Sequence, residues 1–339
     1  MTQINAQQWQ AMLAKNPDAS ILQTAEWGKL KSAFGWEPVF VANENAGALI
    51  LFRKLPHHIP WFTIAYIPRG PVAFSKERPD YKCLWQEIHQ ICGKRHAIFL
   101  RVEPDEWQNT PEAETLLKSM DGFQPGFATI QPPSTMVIPL TGTEEEWLSR
   151  MNQKTRYNIR LSQKKDLLVG ESDQIAAFSR LMEQTGDRDD FGVHTPTYYQ
   201  KCYDIFKPEG TVHLLMASFD GKPLSALMLF IRGKRGYYLY GASSSEERNR
   251  MPNHLLQWTA MKICAEHGCT EYDLWGIPDE NEETLESQFQ NRQDGLWRVY
   301  RFKRGFGGEI RRTIGTLDFA YMPLFYRVIA AAAKREKHP

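Results

Sequence analysis

The chain has 339 residues, of which 42% are hydrophobic and 24% charged, and its formal net charge is +1. That length allows two domains. The near-zero balance excludes a protein that holds nucleic acid by bulk charge, so any polyanion has to be met by a local patch. The five cysteines show no framework spacing and read as reduced thiols. With no secretory leader and no apolar run of the ~18 residues a membrane helix needs, a cytoplasmic protein is the expectation.

Taken in chain order, residues 20–35 read as one helix, N-capped by Ser20 or Thr24 and stopped at Gly35. Residues 37–55 read as a hairpin around an Asn/Gly turn, and 61–72 as an aromatic strand ending in a Pro/Gly turn. A helix over 81–95 and a buried strand over 96–106, running into acid, follow. The second half replays this order. A hairpin spans 211–233 with Asp220-Gly221 at its turn, and an aromatic strand spans 234–244. A helix runs from Pro252 to a stop at Gly268, and the last strand, 269–280, again runs into acid. Phe52 aligns with Phe230, and the acidic stretch 103–106 with 277–280. One fold is therefore expected twice.

Hairpin, strand, helix, strand fits a mixed sheet covered by helices, the order of the acyl-CoA N-acyltransferase fold. The predicted class is α/β (α+β) with two tandem GNAT-like domains. The first is 1–144, completed by the C-terminal segment 311–339; the second is 145–310. In that fold a glycine-rich loop before the central helix cradles a pyrophosphate. Here the slots read "RNRMPN" (248–253) and "FSKERPDY" (74–81), without the required small residues, so acetyl-CoA is disfavoured as donor.

Charge concentrates in two places. Residues 150–165 hold six cations and no acid. A helix over 151–167 would align Arg156, Arg160 and Lys164 at i, i+4 and i+8, as a phosphate-facing stripe or a solvated face. Residues 291–312 hold seven cations against two acids. Read as a strand, 297–303 would put Lys303 at the strand end before "RGFGG", where an ammonium can bind phosphate or stabilise an oxyanion. Glu103 and Asp105, at a strand end, are candidate bases or plain loop carboxylates. Cys264-x-x-His267-x-Cys269 reads as buried thiols and a helix cap, and His57-His58 as a loop pair, so no metal is expected. A Gly-x-Ser-x-Gly elbow is absent, which disfavours a serine hydrolase.

Several motifs in order, "LQTAEWGKLKSAFGWE", "YIPRGPV", "IQPPSTMVIPL", "NQKTRYNIRLSQKK", "YYLYGASSSEERNRMPNHLLQW", "YDLWGIPD" and "YRFKRGFGGE", cover nearly the whole chain. In them the sequence resembles the Fem-type (FemABX) aminoacyl transferases, which build interpeptide bridges of bacterial peptidoglycan from aminoacyl-tRNA. The resemblance implies two acyltransferase-like domains, here without a coiled-coil arm. It implies aminoacyl-tRNA as co-substrate with no cofactor, and a peptidoglycan precursor, UDP-MurNAc-pentapeptide or lipid II, as acceptor. Lys303 matches the family's active-site lysine, Phe302 the aromatic beside it, and Lys31 the lysine that meets the precursor's pyrophosphate. His194 stands where an arginine is common, with Arg188 as substitute, and Tyr198 and Tyr240 would line the site. Arg156, Arg160, Lys164 and Arg304 are expected on tRNA phosphates. Arg69 is read as holding a loop, and Trp27 and Trp36 as core. An acyl-CoA-dependent N-acyltransferase and a non-catalytic RNA- or precursor-binding protein are the alternatives. Peripheral contact with the inner face of the plasma membrane stays open, the C-terminal segment reading first as an ordinary terminal helix.

Overall fold

The computed structural model describes residues 2–55, 61–75, 79–189 and 192–336; the pair His57-His58 lies outside them. The chain divides into two compact units, Met1–Pro133 with Arg312–Pro339, and Ser134–Arg311.

The first unit begins with β1 (Thr2–Ile4) and α1 (Ala6–Leu13), the latter closed by a capping box between Asn5 and Gln8. Residues 20–35, expected as one helix, are split by the extended backbone of Thr24. Ser20 caps a single 3-10 turn (Ile21–Gln23), and Thr24 caps α2 (Ala25–Ser32) by accepting the Trp27 N–H at 3.2 Å. The hairpin β2 (Glu37–Ala42) and β3 (Ala46–Lys54), then β4 (Thr63–Pro68), the short β5 (Val72–Ala73), α3 (Tyr81–Lys94) and β6 (Ala97–Glu103), follow as the periodicity predicts. α3 turns Leu84, Trp85, Ile88 and Ile91 into the core against Ile50, Ile67 and Leu100 of the sheet. α4 (Pro111–Lys118) and β7 (Gln124–Pro125) end this part. β4 and β6 run parallel and stay paired from Thr63↔Ala97 to Pro68↔Glu103. Parallel neighbours need a crossover, and α3 supplies it.

The second unit repeats the plan. β8 (Ser134–Pro139), α5 (Glu144–Arg150), α6 (Gln153–Ser162), β9 (Leu168–Glu171), α7 (Ile175–Asp189) and α8 (Pro196–Phe206) precede the hairpin β10 (Val212–Phe219) and β11 (Lys222–Arg232). β12 (Arg235–Ser243), α9 (Pro252–Glu266) and β13 (Glu271–Gly276) complete the repeat, and α10 (Glu282–Gln288), α11 (Trp297–Lys303) and β14 (Glu309–Arg312) close it. Its sheet runs β14-β8-β13-β12-β11-β10-β9. The core joins Leu227 and Leu229 of β11, Leu256, Ala260 and Met261 of α9, and Trp147, Tyr272 and Trp297. Residues 134–144, expected in the first domain, belong here because β8 pairs antiparallel with β13.

The chain then returns to the first unit. β15 (Leu317–Ala320) pairs with β6, and α12 (Pro323–Glu336) follows, so that sheet runs β1-β2-β3-β4-β6-β15-β7, with β5 on β3. A buried two-pronged pair fixes the return: Arg101 Nε and Nη2 donate to Asp318 Oδ1 and Oδ2 at 2.9 and 2.7 Å. The longest helices of the second unit, α7 and α9, have 15 residues each, too short for a coiled-coil arm.

Two expectations fail on local geometry. Residues 297–303 form α11 and not a strand. Trp297, Tyr300 and Lys303, at i, i+3 and i+6, all turn inward, and seven residues are too few for alternation to exclude a helix. α6 ends at Ser162, so Lys164 lies beyond the helix and the three-cation stripe shortens to Arg156 and Arg160.

Candidate active site

In the second unit the parallel strands β12 and β13 separate. They pair only over Arg235–Tyr237 with Glu271–Asp273, while β12 continues to Ser243 against β11 alone. The cause lies in β13. Trp275 has φ 64°, and the register with β8 slips between Asp273 and Gly276. Asp273, 2% exposed, holds the bulge: its Oδ1 accepts the Trp275 N–H at 2.8 Å and the Thr135 hydroxyl. The equivalent strands of the first unit stay paired to their ends, so only the second sheet opens a wedge at the carboxyl ends of its parallel strands, where open α/β sheets bind ligands.

Lys303 sits in this wedge. Its Nζ donates to the carbonyls of Trp275 and Gly276 at 3.2 and 2.7 Å, and the residue is 4% exposed. Burial lowers its pKa to about 7, against an opposing pull from Asp273. Two carbonyls use two N–H groups. The ammonium keeps a third for a reacting atom, whereas the neutral amine offers a lone pair there. The Tyr238 ring lies 5.7 Å from Nζ and also lines a cavity of about 510 Å³ together with Phe302, Asn253, Arg188, Arg248 and Arg298. His254 and Phe306 hold Phe302, with ring centroids 5.2 Å away in both cases. Burial pushes the His254 imidazole down to about 4, so this support is uncharged at neutral pH.

The cavity is cationic. Arg188 donates to the Ser243 carbonyl at 2.8 Å and pairs with Asp189 at 2.6 Å, and Arg298 stands 3.6 Å from the same carboxylate. Arg188, followed by Arg298 and Arg248, holds the Asp189 carboxyl below its ordinary range. Three guanidinium groups thus face one carboxylate. Arg248 and Asn253 come from the "RNRMPN" slot, read in sequence only for its missing glycines, and Arg298 from the stretch read as a strand. α9 begins there from Met251 in the left-handed region (φ 58°), with Pro252 at its first position.

An aromatic cluster lies on the same unit. The Tyr198 and Tyr240 hydroxyls are 3.1 Å apart, and the His194 ring stacks on Tyr198 at 3.8 Å. Burial raises both phenol pKa values, so both stay protonated. Lys31 belongs to the first unit, on α2, with its ammonium 4.7 Å from the Trp27 ring.

Four expected roles do not fit. Glu103, 2% exposed, accepts four donors: the Tyr66 hydroxyl at 2.6 Å, the N–H groups of Ile130 and Gln131 at 2.5 and 2.9 Å, and the Thr316 hydroxyl at 3.0 Å. Each of its oxygens accepts two of them, so the carboxylate serves to hold the first unit together. Arg156 donates to the carbonyls of Leu148, Ser149 and Met151, closing the end of α5 in place of contacting phosphate. Arg304 is engaged by Glu286 and stacked 3.9 Å over Phe289. Trp36, expected in the core, is only half-buried, its ring tilted 6.2 Å from Tyr66. Arg160 and Lys164 are exposed. Asp105 stands 4.0 Å from Arg69. Arg69 itself is buried and donates to the Pro132 carbonyl at 2.7 Å, tying down a loop. Among the described residues no group of three or more His, Cys, Asp or Glu could hold a metal ion, and no helix is long and apolar enough to cross a membrane.

The model of the FemAB family matches residues 4–222 and 218–334. The chain belongs to the FemAB family. Lipid II:glycine glycyltransferase of Staphylococcus aureus (strain MRSA252) is 26% identical over 412 aligned positions, covering 98% of the FemAB chain described here and 95% of the relative. The alignment is longer than this chain, so the relative carries insertions. The crystal structure of FemX superposes with a TM-score of 0.83 at 24% identity over 97% of this chain and 100% of that one. A tandem GNAT protein from the clavulanic acid biosynthesis pathway superposes at 0.50 with 11% identity, over 94% and 97%. The FemAB chain thus has two tandem GNAT-like domains, and the sheet that opens is the second.

Proposed function

We propose that this FemAB chain is an aminoacyltransferase that moves an amino acid from aminoacyl-tRNA to the stem-peptide amine of a peptidoglycan precursor, extending or starting an interpeptide bridge. The observation that carries the reading is the wedge in the second sheet. It holds a desolvated lysine whose Nζ lies 5.7 Å from the ring of Tyr238, and Tyr238 lines the cationic cavity. The name of the S. aureus relative, a glycyltransferase on lipid II, supports the same class of acceptor.

The donor ester is already activated, so the chain has to align two substrates and stabilise one transient charge. In the proposed reaction the neutral amine attacks the ester carbonyl, forming the C–N bond. The carbonyl oxygen becomes an oxyanion that takes the third N–H of Lys303, already held by Trp275 and Gly276. Collapse breaks the C–O bond, and the proton lost by the amine ends on the 3′-oxygen of the tRNA. The products are an amide and free tRNA. Phe302 walls the reacting carbon from water. Arg188, Arg248 and Arg298 would hold phosphodiesters of the acceptor end, while Tyr198, Tyr240 and His194 offer an aromatic, hydrogen-bonding face to the acceptor or the donor base. Lys31 is assigned to the precursor's pyrophosphate.

The test is a transfer assay with purified protein, charged tRNA, and either muramyl-pentapeptide nucleotide or lipid II. Amide product without CoA supports the reading. Activity that requires acyl-CoA, or binding of both substrates without product, refutes it in favour of an acyl-CoA transferase or a binding protein.

A further inference from the structure

Helix α12 is apolar on both sides. Its inward residues Tyr326 and Ile329 pack with Ile98 and Phe99 of β6, and the Tyr326 hydroxyl donates to Asp318 at 3.0 Å. Its outward face should be polar in an ordinary surface helix. Instead Leu324, Phe325 and Val328 are 76, 44 and 69% exposed, and the exposed Ala331 and Ala332 prolong the same face. The Phe325 ring lies 5.3 Å from that of Phe62, and the neighbouring Trp61 is 64% exposed. An exposed apolar surface of this extent marks an interaction site.

The charges say with what. The exposed Arg327 flanks the apolar face, the sequence of the helix continues into Lys334 and Arg335, and no acid stands between Pro323 and Ala333. An apolar face flanked by Arg327, followed in sequence by further cations, and with an exposed indole one residue from Phe62 fits the headgroup layer of an anionic bilayer, where aromatic rings settle at the interface and basic side chains meet phosphate. Against a second copy of the chain, two-fold apposition would bring Arg327 towards its own image.

We propose that the outer face of α12, with Trp61, docks this chain on the surface of an anionic phospholipid bilayer. This goes beyond the transfer reaction: it brings the chain to the surface that a lipid-linked acceptor occupies. It is tested without tRNA or precursor, so its failure is distinct from failure of the transferase reading.

The experiment is co-sedimentation of the full chain with phosphatidylcholine vesicles containing or lacking phosphatidylglycerol, at low and high salt. Wild type is expected to pellet with the anionic vesicles and to be released by salt. The Leu324→Ser/Val328→Ser double variant should partition at least ~10-fold more weakly, since two apolar side chains no longer enter the interface. Arg327→Gln should weaken binding roughly fivefold on anionic vesicles and leave neutral ones unaffected. All three side chains are exposed, so unchanged thermal unfolding serves as the folding control. Wild type remaining in the supernatant, or the double variant pelleting like wild type, overturns the proposal. So does a wild-type dimer that the double variant dissociates without any vesicle binding, which would assign the face to a second copy.

Discussion

Replacing Lys303 by methionine separates catalysis from folding. The substitution keeps the length and volume of the side chain and removes the ammonium. Burial lowers the lysine from its ordinary 10.5 to about 7, so at and below neutral pH the folded state holds a charge that the unfolded chain solvates better, at a cost of about 5 kcal/mol. The same Nζ satisfies the carbonyls of Trp275 and Gly276. Leaving those two acceptors unpaired costs roughly 1–3 kcal/mol each. The two effects oppose and are of similar size, so Lys303→Met should unfold in urea within about 2 kcal/mol of wild type at pH 7. The difference should depend on pH in one direction. The folded-state pKa is depressed, so the wild-type deficit is complete below about pH 7 and shrinks as pH rises towards 10.5. Wild type should therefore gain roughly 2 kcal/mol on the variant between pH 7 and 9. Transfer behaves differently: loss of the oxyanion donor should lower kcat by ~10²–10³, and kcat/KM of wild type should fall as pH rises through about 7 because the protonated form supplies the third N–H. Urea titrations at pH 6, 7 and 9 and a pH–rate profile check both parts. Near-wild-type turnover in the variant, or a wild-type rate that climbs through pH 7, would refute the oxyanion role; the second result would make the neutral amine a base.

Arg248→Ala and Arg298→Ala, at the rim of the same cavity, should each raise the KM for charged tRNA while leaving kcat within about threefold, and flatten the salt dependence of donor binding by about one unit of slope; an unchanged slope removes the residue from phosphate contact. Glu103→Gln should lose about 1–3 kcal/mol of stability, since an amide cannot accept all four donors, yet the folded fraction should turn over normally. A large fall in its kcat with intact circular dichroism would restore Glu103 as a base. Asp318→Ala leaves Arg101 buried without its partner and should destabilise the first unit by about 3–5 kcal/mol, read by denaturant unfolding; a loss under 1 kcal/mol would mean that solvent reaches the guanidinium.

Much of the architecture was legible because hairpins and amphipathic helices carry their own periods. β2–β3, β10–β11, α3 and α9 stand where alternation, turn residues and caps put them, and the repeat of their order disclosed two similar units. α11 was misread because "WRVYRFK" satisfies both periods and its one inward cation looks like surface in a linear string. The basic stretch 291–312 gives the same lesson: its charge is answered by acids far away in sequence. Arg304 meets Glu286, Arg311 meets Glu271 at 2.7 Å, and Arg298 approaches Asp189. The wedge itself has no sequence signal beyond Asp273 and Trp275, since a strand that loses a neighbour keeps its own composition. Lys303 was singled out by its place before the glycine-rich turn and by family resemblance; its burial and its two carbonyl partners needed the fold.

The return of the chain through β15 has a consequence for synthesis. Ser134–Arg311 is contiguous and holds all the strands of its sheet except the last residue of β14, so it can fold without waiting for the segment that follows it. The first sheet has to wait with β6 uncovered, because β15 and Asp318 follow the whole second unit in the sequence. The amino-terminal half of the gene thus encodes the later-finished half of the molecule. A chain cut short just before residue 317 should therefore hold a protease-resistant second unit joined to a cleavable first one.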